Sequence, residues 1–278
     1  MNKYSPLFLF LLALVLGTGA CTNAPREKLS DPHAAGAGFD TARYSFKTIT
    51  RDDPDCDSAD KKACRIINIR YQVFDGHPAL NDSVNRKLLA VYPFEETPLP
   101  SKTTIEEQAD RFMKQYEEFK KEPYSAGRRY ELTSSTETLT ESQNLLTLQL
   151  DAYTYSGGAH GASFRSFINY DIAQKKVLLL NDILKNNYRD SLLQVAERVF
   201  RKNEGLAQQG PLPKNAYFFK DNKFDLSNAY AFTPQGILFL YNEYEIKPYA
   251  AGRTELLVKY GLLKNLLRPG TVLDQFQK

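Results

Sequence analysis

Apolar and polar positions alternate along Arg65-Ile-Ile-Asn-Ile-Arg-Tyr-Gln-Val-Phe74, the pattern of a strand that buries one face. A strand over Ala42–Thr50 precedes it, and the turn Asp75-Gly76-His77-Pro78 ends it. The period then changes. Val84, Leu88 and Val91 share one face of a helix that Asn81 or Asp82 would cap. A longer helix is expected from Thr104 to Lys121, with Ala109, Phe112, Met113, Tyr116 and Phe119 as its apolar stripe. Thr104 and Glu107 stand at capping-box spacing.

Alternation returns after Arg128. Arg129–Thr138 and Asn144–Tyr155 read as neighbouring antiparallel strands, and Leu146, Leu148 and Leu150 alternate with Thr147 and Gln149. Ser156-Gly-Gly-Ala-His-Gly161 interrupts the pattern, which resumes over Phe164–Tyr170. The turn 171–176, a short strand from Val177, a helix start at Asn181 and Asp182, and a helix over Tyr188–Lys202 follow. Strands at Ala229–Phe232 and Ile237–Tyr241 flank Thr233-Pro-Gln-Gly236, a type I turn by composition. A strand over Thr254–Val258 leads to a helical tail near Leu262–Leu267. Helices and strands fall in separate blocks, so the expected class is α+β: antiparallel sheets with helices packed on one side, in two intimately joined subdomains.

The first twenty residues fit no part of this pattern. Lys3, the apolar run Leu7–Leu16 and the small residues Gly17-Thr-Gly-Ala20 make a secretory signal too short to span a bilayer of roughly 30 Å. Cys21 follows directly, and the segment resembles the bacterial lipoprotein box, with Thr18 where that motif usually has Leu. The resemblance implies lipidation of Cys21 and a membrane anchor; plain secretion is the alternative. Residues 21–41, with Pro25, Asp31-Pro32 and Ala34-Ala-Gly-Ala-Gly38, read as a tether.

Charge excludes more than it assigns. The 278 residues carry 36 Lys+Arg against 33 Asp+Glu, and losing Lys3 with the signal leaves 35 against 33, a net of +2. Such a balance argues against nucleic acid as a partner. Of three cysteines, Cys56 and Cys64 remain once Cys21 is lipidated. In an oxidising compartment they are expected to form a disulfide closing a small polar loop. No metal site is expected, because the three histidines, His33, His77 and His160, do not stand at ligand spacing. No cofactor is implied either: there is no phosphate-cradling loop and no His-Glu-x-x-His.

Several blocks together carry a family resemblance. They are Tyr155-Ser-Gly-Gly-Ala-His-Gly-Ala162, Asn169-Tyr-Asp171, Leu179-Leu-Asn-Asp-Ile-Leu184 and Phe232-Thr-Pro-Gln-Gly-Ile-Leu-Phe239. To these are added Asn242-x-Tyr244-x-Ile246-x-Pro248-Tyr-Ala-Ala-Gly252 and the earlier stretch from Tyr71-x-x-Phe74 to Leu89. They resemble the paired extracytoplasmic modules of lysozyme-sensing anti-sigma factors (RsiV-like) and of the non-catalytic region of PdaC-like peptidoglycan deacetylases. The resemblance implies a PdaC-like module over residues 42–155 and an RsiV-like module over 156–268. Neither an internal membrane helix with a sigma-binding segment nor length for a deacetylase domain is expected in these residues.

Candidate chemistry is sparse. His160 between glycines reads as a bend held by a hydrogen bond, as a partner contact, or as a general base. The aromatic and charged stretch Tyr241–Gly252 reads either as a packed connection or as a recognition surface. The candidate recognition set is Gly157, Gly158, His160, Tyr244, Pro248, Tyr249 and Gly252. The expectation is a lipid-anchored binding or sensor module of the cell envelope whose partner is a lysozyme-like protein or a peptidoglycan ligand. The alternative is an envelope hydrolase acting on a wall polymer with His160 as acid/base.

Overall fold

Strands β1 (Tyr44–Asp52) and β2 (Arg65–Phe74) form an antiparallel pair, with Ile49 opposite Ile69. The structure, a computed structural model, describes residues 42–60, 62–90, 102–125, 128–213 and 216–277. The expected signal peptide, Cys21 and the tether lie outside the described residues, as does Val91 at the end of the first expected helix. Cys56 and Cys64 form a disulfide in the connection between β1 and β2. The expected pairing is borne out.

Helix α1 (Pro78–Ala90) begins earlier than its expected cap. Proline has no N–H to leave unsatisfied in a first turn, so Pro78 starts the helix, and the His77 carbonyl accepts from the amides of Leu80 and Asn81. Asn81 is therefore inside the helix. Its side-chain amide reaches back instead, accepting from the Phe74 N–H at 2.8 Å and donating to the Phe74 carbonyl at 2.9 Å. Helix α2 (Ile105–Lys120) matches expectation, with both halves of the Thr104–Glu107 capping box formed.

Strands β3 (Tyr130–Ser142), β4 (Leu145–Ser156), β5 (Ala162–Asp171) and β6 (Lys176–Val177) complete a six-stranded sheet in the order β1-β2-β3-β4-β5-β6. One pairing departs from the all-antiparallel expectation: β2 and β3 run parallel, with Ile67 opposite Leu132. The chain between them passes through α1 and α2, and a parallel return needs a long crossover of this kind. One face of the sheet packs on these helices, burying Ile67, Ile69, Leu132, Leu148 and Leu150 against Leu80, Leu88, Ala109 and Phe112.

Helices α3 (Leu180–Ile183) and α4 (Arg189–Asn203) lead to the second sheet, β7 (Ala229–Phe232), β8 (Gly236–Tyr241) and β9 (Thr254–Lys259), followed by α5 (Tyr260–Leu263). Its three strands are antiparallel in that order. Leu192, Ala196 and Phe200 of α4 bury against Phe239, Leu256 and Val258, forming a second core. The two sheets meet where Phe167 of β5 packs with Ala231 and Leu240. The described residues belong to one compact unit. The expected division at 155/156 falls within the β4–β5 hairpin, and the first sheet continues to Val177. The class is α+β, as the blocks of helices and strands implied.

Candidate functional site

Two stretches singled out separately in the sequence meet in space. The loop after β4 carries His160, and the segment after β8 carries Tyr244 and Tyr249. The His160 ring stacks on Tyr249 with centroids 4.4 Å apart and planes 19° from parallel. His160 Nε2 lies 3.1 Å from the Tyr244 hydroxyl, and Nδ1 lies 2.9 Å from the Gly161 carbonyl. A carbonyl oxygen only accepts, so Nδ1 carries a proton and donates to it. In the neutral ring Nε2 then accepts from the Tyr244 O–H. Tyr244 and Tyr249 are themselves 5.5 Å apart, closing a three-ring cluster.

The local backbone explains the glycines. Gly157 has φ 77°, and a methyl group there would overlap the Phe119 ring of α2. A methyl group on Gly161 would overlap the Tyr153 ring of β4. Gly157 therefore demands the smallest residue for its dihedral and its space, while Gly161 admits a methyl group only when the Tyr153 ring shifts. The exposed Gly158 accepts from the Tyr155 hydroxyl at 2.8 Å through its carbonyl. Arg128 donates to the Gly157 carbonyl. The first bond ties the loop to β4 and the second ties it to the residues that precede β3, with His160 exposed between glycines.

Tyr244 adopts φ 67°, unusual for a bulky side chain, and is 55% exposed. Ile246, two residues on, is buried in the second core and anchors the segment. Pro248 leads into a single 3-10 turn over Tyr249–Ala251, and the Gly252 N–H closes it on the Tyr249 carbonyl at 2.9 Å. The stretch is thus neither wholly core nor wholly surface: Ile246 packs inward, while Tyr244 and Pro248 face solvent and Tyr249 is half-buried.

Charged groups fasten this segment to the first sheet. Asp151 and Arg165 stand opposite each other on β4 and β5 and form a two-pronged pair at 2.7 and 3.1 Å. Arg253 reaches Asp151 at 3.5 Å and Glu243 at 3.3 Å. The Asn242 amide also pairs with the Arg165 backbone, accepting at 2.7 Å and donating at 3.1 Å. In the sequence Asn242 is only a motif residue, because an asparagine that completes a backbone ladder looks locally like any turn asparagine.

Among the described residues, no group of three metal-ligating side chains converges. Both ring nitrogens of His160 are engaged by oxygen atoms that are not carboxylates. The arrangement presents flat rings and hydrogen-bonding edges at a surface, which suits contact with a polymer or protein.

Comparison with known proteins divides along the same chain. Residues 58–163 match a family model described as deacetylase PdaC, and residues 181–261 match one described as a protein family of unknown function, DUF3298. A curated relative is the peptidoglycan-N-acetylmuramic acid deacetylase PdaC of Bacillus subtilis strain 168, 24% identical over 204 residues. The match takes in 73% of this chain and 42% of that protein, so the chain spans less than half of the relative's length. A crystal structure of a DUF3298 family protein from Pseudomonas aeruginosa PAO1 superposes with TM-score 0.63 at 24% identity. That superposition covers 83% of this chain and 96% of the other. A second, from Bacteroides fragilis NCTC 9343, gives TM-score 0.61 at 21% identity, over 85% and 98% of the two chains. Both show a shared fold. The chain is similar to the non-catalytic region of PdaC-like deacetylases, followed by a region that matches DUF3298 proteins.

Proposed function

We propose that this chain is a lipid-anchored, extracytoplasmic binding module of the bacterial cell envelope that recognises a wall glycan through the His160–Tyr244–Tyr249 surface. The observation that carries this reading is the convergence of residues 157–161 and 244–252, 84 positions apart at the His160–Tyr244 contact, into one cluster at the surface. The Bacillus relative is a peptidoglycan deacetylase, which supports a cell-wall association and an extracytoplasmic location. The Cys56–Cys64 disulfide agrees with an oxidising compartment. Anchoring through Cys21 rests on the lipoprotein-like signal.

Tyrosine rings offer apolar faces to sugar C–H groups and hydroxyls to sugar oxygens, at low entropic cost because they have few rotatable bonds. The hydrolase alternative would need His160 free to move a proton and oriented by an acid. Its observed bonds to a carbonyl and a tyrosine hydroxyl favour a positioning role instead. The test is co-sedimentation with purified peptidoglycan, with lysozyme binding measured in parallel. Wild type should pellet with the polymer, and the His160→Ala/Tyr244→Ala double variant should lose at least about tenfold in affinity. Binding to lysozyme but not to peptidoglycan would replace the glycan by a protein partner. Turnover of wall fragments that disappears in His160→Ala while binding persists would overturn the binding reading.

A further inference from the structure

Lys87 lies on α1 (Pro78–Ala90). In the structure it is half-buried and lines a cleft of about 440 Å³ between α1, β5 and residues 218–229. No hydrogen bond or ion pair engages its ammonium among the described residues, and burial lowers its pKa from the ordinary lysine value. Ser166 of β5 lines the same cleft. It is 3% exposed, and its hydroxyl has no hydrogen-bond partner among the described residues. A cation partly withdrawn from water and a buried hydroxyl with an unused donor both lack the same thing, an oxygen acceptor.

We propose that this cleft binds a small hydroxylated acid of acidic-sugar size, with its carboxylate held by the Lys87 ammonium and the Ser166 hydroxyl. The volume lies in the range of small-ligand pockets, roughly 300–1,000 Å³. The walls carry what the rest of such a molecule needs. Phe164 and Phe219 supply apolar surface for C–H groups, while Asp225, Asn228 and Glu245 supply hydrogen-bonding groups for hydroxyls. Lys220, exposed on the same cleft, adds a second positive charge to balance the two carboxylates. A charge-assisted bond from lysine to carboxylate is among the stronger hydrogen bonds available, and partial burial protects it from screening. The cleft takes Glu245 and Ile246 from the segment that carries Tyr244 but none of the three stacked rings, so ring substitutions test that surface and Lys87 and Ser166 substitutions test the cleft.

The test uses the purified full-length chain and a pair of probes that differ at one carbon, D-glucuronate and D-glucose, with inorganic phosphate as a third. Calorimetric titration near pH 7 should show glucuronate binding at least tenfold tighter than glucose. Lys87→Met should lose at least tenfold for glucuronate, and Lys264→Met, at an exposed lysine of the C-terminal region, should change nothing. Ser166→Ala should weaken glucuronate several-fold while leaving the melting temperature unchanged or higher, because no internal hydrogen bond is lost. Equal binding of glucose and glucuronate, no binding of glucuronate up to tens of millimolar, or full retention in both Lys87→Met and Ser166→Ala would overturn the proposal. Phosphate binding in place of glucuronate would overturn the assignment of a hydroxylated acid. His160→Ala should leave this titration unaltered.

Discussion

The side-chain oxygen of Asn169 on β5 lies 2.7 Å from the amide nitrogen of Phe232 on β7, a bond between the two sheets that is made entirely out of sight of water. The Thr147 hydroxyl, which shares its one proton with a nearer acceptor, lies 3.1 Å from the same oxygen, and the Asn169 amide nitrogen donates to the Tyr230 carbonyl at 3.0 Å. Thr147 in turn donates to the Phe232 carbonyl at 2.9 Å. The backbone at 230–232 thus finds on β5 and β4 the partners that another strand would have supplied. Asn81 at Phe74 and Asn242 at Arg165 do the same elsewhere. Motif asparagines in this fold act as one-residue strands.

Replacing Asn169 by Ala should therefore cost about 2–3 kcal/mol, because it leaves a buried N–H and a half-buried carbonyl without partners. Asn169→Asp should be no better, since the new carboxylate would face the Tyr230 carbonyl and could not donate to it when ionised. Urea denaturation at neutral pH checks both. A loss under 1 kcal/mol for Asn169→Ala would show that the two sheets hold without this bond.

Glycine replacements in the His160 loop should separate dihedral strain from crowding. Gly157→Ala meets both a positive φ and the Phe119 ring and should cost about 2–3 kcal/mol. Gly161→Ala meets only the end of the Tyr153 side chain, which can swing aside, and should cost about 1 kcal/mol. Thermal melts of the two variants should preserve that order.

The Cys56–Cys64 bridge closes a loop of sequence separation eight. By the chain-entropy model, replacing both cysteines with serine should remove about 2–3 kcal/mol. Most of the fold should survive, because of this pair only Cys64 is buried, and the six-stranded sheet has its own core. Denaturant titrations of the double variant and of reduced wild type should agree.

Acid should weaken the junction of the Cys56–Cys64 loop with α2. Burial pushes the Asp53 carboxyl up, but the Tyr116 hydroxyl at 2.7 Å, the Asp55 N–H at 3.1 Å and the Lys120 ammonium at 3.3 Å outweigh it. The folded pKa is therefore held below its unfolded value of about 3.9. A depressed folded value stabilises the native state fully above the unfolded pKa, and that contribution is lost as pH falls through the folded pKa. Asp53→Asn should cost about 1 kcal/mol at neutral pH and make stability fall less steeply below about pH 4. Parallel slopes for wild type and variant would rule out this linkage.

Much of the secondary structure could be read from local pattern. β2 and β7 occupy the expected residues, and the α2 capping box forms as its spacing implied. The start of α1 could not be placed from composition alone, because Asn81 looks like a cap and is a clamp. The parallel β2–β3 pair was equally hidden: alternation marks a strand's faces and carries nothing about its partner or direction. Lys87 and Ser166 left no signal at all. A lysine on a helix and a serine in a strand acquire chemistry only from what packs over them.

The α+β class, the helices and strands that follow from periods of 3.6 and 2, the disulfide expected from the cysteine count, and the two stretches around His160 and Tyr244 as places of interest were all legible in the residues alone. Those properties depend on neighbours within a few residues, or on the chemistry of a residue type. That the two stretches form one cluster, that β5 and β7 are joined through Asn169, and that Lys87 and Ser166 line one cleft came from long-range packing. Each of these joins residues more than sixty positions apart, and bringing them together is the work of two hydrophobic cores and the strand order, neither of which any local pattern encodes.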